Sequence, residues 1–338
     1  MKVQPSDLIK RFSIDFGFGR TVSRLAKTKK RGHKFGWEDK VDPSPVYQYK
    51  KRIQPNQNSK LYAWGLAASG ALGWPELVKA YEHKTSIRVI NTPCRIMLRE
   101  ESSIRHVACG YGFTVVGTTS TDSKYRLRGF GLNTNSQLGF QPLRNDPTTS
   151  CQWCINPVAI ELPLKYPRTT RITHVAAGRT HTVVATDNEG VFTLGNNAHG
   201  QCGRSVIEDE DYENCSVIHN LGIKLLSDGS RIVQLVAGLD HNVVLLDNGR
   251  VFTWGSGSDG QLGNGSYASS HNICEVKYLP SDDRVIYISS SADTVVAVTA
   301  RGVVYGWGNS EYEQLGVTPQ ANRPIKLNGD FDSKACIY

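Results

Sequence analysis

His181 precedes Thr-Val-Val and His241 precedes Asn-Val-Val, and a histidine set among strand residues is the first place to look for a general base. The matching places in two further copies of the stretch are assigned to Phe113 and Asp293. A base that is copied along a chain and then exchanged for a phenyl ring is not a catalytic base, so both histidines are expected to hydrogen-bond backbone within their own structural unit. Gly255-Ser256-Gly257-Ser258-Asp259-Gly260 has the spacing of a dinucleotide-binding turn, but that turn must open a helix after a strand. Here it lies inside a loop that recurs along the chain. Cys151 and Cys154 supply two of the four ligands a structural zinc needs, and no second pair stands at suitable spacing. No metal, cofactor or catalytic residue is assigned, which leaves binding as the expected mode of action.

The loop FTWGSGSDGQLG at 252 has four variants, YAWGLAASGALG at 62, GFGLNTNSQLG at 129, FTLGNNAHGQCG at 192 and YGWGNSEYEQLG at 305. Each holds two glycines eight residues apart: Gly65 and Gly73, Gly131 and Gly139, Gly195 and Gly203, Gly255 and Gly263, Gly308 and Gly316. Four carry Gln two places before the second glycine, at Gln137, Gln201, Gln261 and Gln314. Ahead of the last four copies comes an apolar run, a small-residue pair and Val-Val, marked by Gly110, Gly178, Gly238 and an aligned Ser290. Internal similarity at this spacing reads as a repeat architecture.

Within a unit the pattern is that of strands. Thr182 to Thr186 and Val191 to Leu194 are rich in β-branched and aromatic residues and flank the turn Asp187-Asn188-Glu189-Gly190, which predicts a hairpin. A further strand is expected at Pro157 to Leu162 and at Glu275 to Leu279. Three to four antiparallel strands per unit, repeated radially, make an all-β propeller, which removes exposed strand edges. The glycines are then structural, and Trp64, Phe130, Leu194, Trp254 and Trp307 are packing residues between units.

The order of a glycine after small residues, a His-Thr, a hairpin and W-G-x-N-x-x-G-Q-L-G resembles the repeat of the regulator of chromosome condensation family. SGALG at 69, LNTNSQLGF at 132, GNNAHGQCGR at 195 and GWGNSEYEQL at 306 are similar to the mitochondrial branch of that family. The resemblance implies a seven-bladed, non-enzymatic propeller, of which residues 60–338 hold about four and a half blades, opening at Leu61 with the back half of a unit. For that branch it implies nucleotide exchange on a dynamin-like GTPase of mitochondrial fusion. It also implies association with mitochondrial ribosomal RNA and RNA-modification proteins in mitoribosome assembly, in the matrix or peripherally at the inner membrane. The other reading is a nuclear or cytosolic exchange factor for a small GTPase, or a chromatin adaptor.

Charge is concentrated at the start. Residues 1–52 hold 14 Lys and Arg against 5 Asp and Glu, so the net charge of +8 belongs to this stretch and the rest is close to neutral. Residues 1–59 are expected to be a basic extension, with an Arg-rich, acid-poor start in the manner of a mitochondrial presequence. Lys27, Lys29, Lys30 and Arg31 form a cluster suited to targeting or RNA contact. The eight cysteines are scattered, with Cys109 and Cys202 at core places of the repeat, as reduced thiols would be. Against the constant background of the repeat, Glu208, Asp209, Glu210, Asp211, Tyr212 and Glu213 form the most distinctive insertion, an expected docking element for a basic partner or a GTPase.

Overall fold

Val183, Val184 and Ala185 are consecutive and all fully buried, which a strand allows only when both of its faces are covered. The computed structural model describes residues 60–73, 89–96, 98, 103–120, 122–222, 229–316 and 320–327, all within the unit Gln54–Tyr338. The basic extension lies outside the described residues, and Lys27, Lys29, Lys30 and Arg31 with it.

The strands form antiparallel sheets in chain order. β1 (Leu61–Leu66) pairs with β2 (Val89–Ile96) alone. β3 (Ile104–Cys109), β4 (Phe113–Thr118) and β5 (Leu127–Leu132) run side by side. A small hairpin of β6 (Pro142–Leu143) and β7 (Asp146–Ser150) comes next, and β8 (Trp153–Ala159) then completes that sheet beside β5. Three more four-stranded sheets follow. They are β9 (Ile172–Ala177) to β12 (Ile218–Asn220), with β10 (His181–Thr186) and β11 (Val191–Gly195) between; β13 (Ile232–Ala237), β14 (His241–Leu246), β15 (Val251–Gly255) and β16 (Ser270–Glu275); and β17 (Val285–Ser291), β18 (Thr294–Thr299), β19 (Val304–Asn309) and β20 (Gln320–Lys326). Apart from the β6–β7 hairpin, the described residues form one two-stranded and four four-stranded sheets in sequence, in keeping with the expected half unit and four whole ones. The outer strands start earlier than the sequence suggested, since β8 and β16 begin at Trp153 and Ser270, where pairing to β5 and β15 resumes after the loop.

Alternation along the second strand of each sheet builds the core. Val183 and Ala185 point into a cluster with Leu235, Val244, Leu246 and Trp254 of the next sheet, whereas Val184 points back to Phe113, Val115 and Leu127 of the previous one. On β14 the same split sends Val244 and Leu246 backward and Val243 and Leu245 forward, against Ile288, Val295 and Trp307. Each core is therefore an interface between consecutive sheets, and their first strands β3, β9, β13 and β17 touch in series.

Register corrects one alignment. His181 faces Gly195 and His241 faces Gly255, and in the last sheet the residue facing Gly308 is Thr294. Thr294, not Asp293, holds the histidine place, and Ser291, not Ser290, holds the glycine place. The run Ser289-Ser290-Ser291 offers either register to the eye, and only the pairing to β19 separates them. Cys202 is buried as expected, but Cys109 is exposed. Phe130, Leu194, Trp254 and Trp307 are enclosed between sheets, whereas Trp64 is 60% exposed.

Candidate functional site

Four of the five double-glycine loops close on themselves through their Gln, the first carrying Ala71 at that place. The side-chain Oε1 of Gln137, Gln201, Gln261 and Gln314 accepts the backbone N–H two residues earlier, at 2.9, 2.8, 2.9 and 2.9 Å. The first glycine is required by close approach: at φ 110°, a Cβ on Gly255 would lie 2.4 Å from the Asp240 carbonyl oxygen. That tight turn aims the loop at the neighbouring sheet.

The backbone carbonyl at the Gln place is what the neighbour grips. Ala71 O accepts Thr114 Oγ1 at 2.9 Å, and Gln137 O accepts Thr182 Oγ1 at 2.7 Å. Gln201 O accepts both Asn242 Nδ2 at 2.8 Å and Trp254 Nε1 at 3.0 Å. Gln261 O accepts Trp307 Nε1 at 3.0 Å, since the residue in the place of Asn242 is Val295. Where the indole is replaced by Phe130 or Leu194, a threonine takes over the donation. A buried carbonyl without a donor is costly, and here each receives one.

The histidines belong to the same network. His181 Nε2 donates to Asn242 Oδ1 of the next sheet at 2.9 Å, and His241 Nε2 to Ser290 Oγ at 3.0 Å. These partners are side chains of the following sheet, which corrects the expectation of backbone partners within one unit. The reason is packing: each ring lies so close to its own turn glycine that a Cβ there would be 2.2 Å from His181 Cε1 or 2.0 Å from His241 Cε1, which turns Nε2 outward. Burial, and then the nearby His181, pushes the His241 imidazole down to about 3; burial lowers His181 as well, against the bond to Asn242. Both rings are neutral and enclosed, and neither is placed for proton transfer with a substrate. Cys154 is likewise inert, because burial and then Cys151 raise its thiol to about 12.

At the ends of the first strands a shallow cavity of about 170 Å³ is lined by Tyr111, Gly178, Arg179, Gly238, Leu239 and Ala292 among others. Its rim is stitched from sheet to sheet by Tyr111 N to Gly178 O at 3.2 Å, Arg179 N to Leu239 O at 2.8 Å and Leu239 N to Ala292 O at 2.9 Å. Arg179 pairs with Asp240 beside it. Asp293 is held above the usual carboxylate range by burial and then by the charge of Asp259.

The acidic insertion divides into two parts. Glu210 turns inward onto Arg204, both side chains being about one-eighth exposed at 12% and 13%, and Tyr212 is half-buried with its hydroxyl raised to about 12 by burial and then Glu210. Glu208, Asp209, Asp211 and Glu213 face solvent, beside exposed Val206 and Ile207. The loop is tied to the preceding sheet by Ser136 Oγ donating to Glu213 O at 3.1 Å and by Ser150 N donating to Asn214 Oδ1 at 2.9 Å. Asp211 Oδ1 accepts Glu213 N at 2.8 Å. Four carboxylates are thus presented on a loop that is tied to the preceding blade at its end.

A family model described as the regulator of chromosome condensation (RCC1) repeat matches residues 58–116, 127–185, 248–298 and 301–336, and a second of the same description matches 172–201 and 232–261. The chain belongs to the RCC1 repeat family. It is 37% identical over 278 residues to the RCC1-like G exchanging factor-like protein of mouse, across 80% of this chain and 59% of that protein. The chain therefore spans less than two thirds of that relative's length. The crystal structure of human WBSCR16 is similar with a TM-score of 0.71 at 35% identity, covering 81% of this chain and 67% of that one. The crystal structure of yeast Prp20p, a protein with binding properties to Gsp1p and histones, shares the fold with a TM-score of 0.59 at 19% identity, over 80% of this chain and 61% of that one. The sheets are accordingly the blades of an RCC1 β-propeller.

The carbonyl clasp between RCC1 blades was not read from the sequence, because a carbonyl has no letter. Its donors do, and Thr114, Thr182 and Asn242 at one place with Trp254 and Trp307 at another were the available signal. Two outcomes follow. Trp307→Phe leaves Gln261 O without its indole donor and should cost about 1–3 kcal/mol more than Trp254→Phe, where Asn242 still donates; chemical denaturation of the two variants measures the difference. The folded imidazoles of His181 and His241 titrate below their unfolded value of 6.5, so the unfolded chain binds protons first as pH falls. Stability is then full above pH 6.5 and declines as pH falls, for the His241 ring by up to about 1.4 kcal/mol per pH unit toward pH 3, with His181 adding in the same direction. Thermal melts across that window should show the decline, and a flat profile would contradict it.

Proposed function

We propose that this chain is a non-enzymatic propeller scaffold that promotes guanine-nucleotide exchange on a mitochondrial dynamin-like GTPase, with the exposed part of the acidic loop as a docking element. The observation that carries the reading is the exposure of Glu208, Asp209, Asp211 and Glu213 on a loop whose end is tied to the preceding blade through the Glu213 carbonyl and the Asn214 side chain. The likeness to a relative named as G exchanging factor-like supports the class of activity. The basic extension supports the compartment.

Exchange needs no chemistry from the exchanger. It binds the nucleotide-free state of the GTPase better than the loaded state, and by linkage it loosens the nucleotide. A row of exposed carboxylates suits this, since it competes with nucleotide phosphates for the cationic groups of a phosphate-binding loop. The enclosed histidines keep the scaffold in register and take no part in the exchange.

The test is release of a fluorescent GDP analogue from the GTPase. The combined substitution Glu208→Gln, Asp209→Asn, Asp211→Asn and Glu213→Gln should slow release by about tenfold with an unchanged thermal melt. Release at the wild-type rate would remove the loop from the interface, and no acceleration by the wild-type chain would remove the activity. Exclusion of a C-terminally tagged chain from mitochondria would remove the proposed target. The +9 balance of residues 1–52 favours a second role in ribosomal-RNA association, carried by Lys27, Lys29, Lys30 and Arg31. Binding through these residues should weaken steeply as salt rises, and salt-insensitive binding would count against it.

A further inference from the structure

Strands that run antiparallel in chain order place their connections alternately on two faces of the propeller. The turns before each second strand share one face with the double-glycine loops. Hairpins such as 187–190 share the other with the links from sheet to sheet, such as 160–171. Among the described residues of these connections, the loop face holds eleven Asp and Glu against three Lys and Arg, and the hairpin face holds seven against ten. The near neutrality of the repeat region is therefore the sum of two opposed faces.

Half of the ten cations lie in one sector, where Lys124 and Arg126 meet Lys165, Arg168 and Arg171. Buried Arg126 joins the two segments, its Nε donating to Ser120 O at 3.4 Å and its guanidinium to Pro167 O. Lys124, Lys165, Arg168 and Arg171 are exposed, and none forms an ion pair among the described residues. The neighbouring carboxylates are turned to backbone instead: Asp122 accepts Lys124 N at 3.0 Å, Asp187 accepts Arg171 N at 2.9 Å, and Glu189 accepts Lys165 N at 2.6 Å and Tyr166 N at 2.9 Å. On the later sheets, by contrast, Arg231 pairs with Asp247 at 3.2 Å, Arg250 with Glu275 at 2.8 Å and Arg301 with Asp282 at 2.9 Å. Two of the unpaired cations also lie over rings. Lys124 Nζ is 5.4 Å from the centre of Tyr125, which Arg128 flanks at 5.8 Å, and Lys165 Nζ is 5.2 Å from that of Tyr166, a residue 53% exposed.

We propose that this sector binds single-stranded nucleic acid, with phosphates on Lys124, Lys165, Arg168 and Arg171 and bases against Tyr125 and Tyr166. An aromatic ring with a cation beside it suits such a strand, since every base has a face to stack and every link a charge to neutralise. A duplex offers the phosphates but keeps its base faces stacked within. A flat anionic bilayer fits less well, because Asp187, Asp247 and Asp282 on the same face would be carried to its headgroups. The site goes beyond the basic extension, for it lies on the folded propeller, on the face opposite the acidic loop.

The probes are fluorescein-labelled oligouridine RNA and oligothymidine DNA of about twelve nucleotides, read by anisotropy with the full chain. Lys27, Lys29, Lys30 and Arg31 are replaced by Gln throughout, so that the extension does not mask the propeller. In that background the combined substitution Lys124→Gln, Lys165→Gln and Arg168→Gln should weaken binding of one or both strands by about tenfold, with the thermal melt unchanged. The dependence of log affinity on log salt should become shallower by about 2, as three lost phosphate contacts require. Tyr166→Ala should weaken binding by about fivefold and leave that dependence as it was, which separates stacking from charge. Unchanged affinity in the triple variant would overturn the proposal. So would a chain that binds neither strand yet binds vesicles of phosphatidylcholine and cardiolipin through the same three residues.

Discussion

A single carbonyl per blade governs how this molecule is put together. The loop between the two repeat glycines turns its backbone oxygen at Ala71, Gln137, Gln201 or Gln261 into the next blade, and that blade must answer with a donor. The answer comes from a threonine, an asparagine or an indole, in whichever combination the blade has available. Hydrophobic burial between blades supplies most of the driving force, but it is non-directional. The clasp sets the rotation at which one sheet meets the next, because the bond can form only when a loop and a strand end coincide.

The fold was legible because it is repeated. Eight-residue glycine spacing, the Gln before the second glycine and the hairpin at Asp187 to Gly190 each recur, and errors in one copy are corrected by the others. Where a copy has drifted the reading slipped: Ser289 to Ser291 has no glycine to anchor it, and Asp293 was assigned the place that pairing gives to Thr294. Outer strands were placed late because their pairing is interrupted by bulges, as between Gly129 and Gly131 and between Thr253 and Gly255, which no simple alternation reveals.

The candidate site was legible only in part. The sequence marked residues 208–213 as an acidic insertion and docking element, and four of the six face solvent. That Glu210 and Tyr212 fold inward depends on Arg204, which lies outside the acidic run. The histidines were identified as structural on the strength of their replacement by other residues, of which the register moves one from Asp293 to Thr294, and the rings lie buried in bonds to the next blade. Their partners lay 61 and 49 residues away, beyond what one repeat unit can show.

The second strand of each inner blade is read from both sides. Val243 and Val244 are neighbours in the chain, yet each answers to a different blade. Such a strand has little freedom to drift, for a substitution that suits one neighbour alters the backbone that carries the other. Loops such as 206–213 meet a second blade only at one end, through Glu213 and Asn214, and bear less of that double obligation. Divergence among duplicated blades is therefore channelled outward, so that new specificities accumulate on the loops while the inner strands remain recognisably copies of one ancestor.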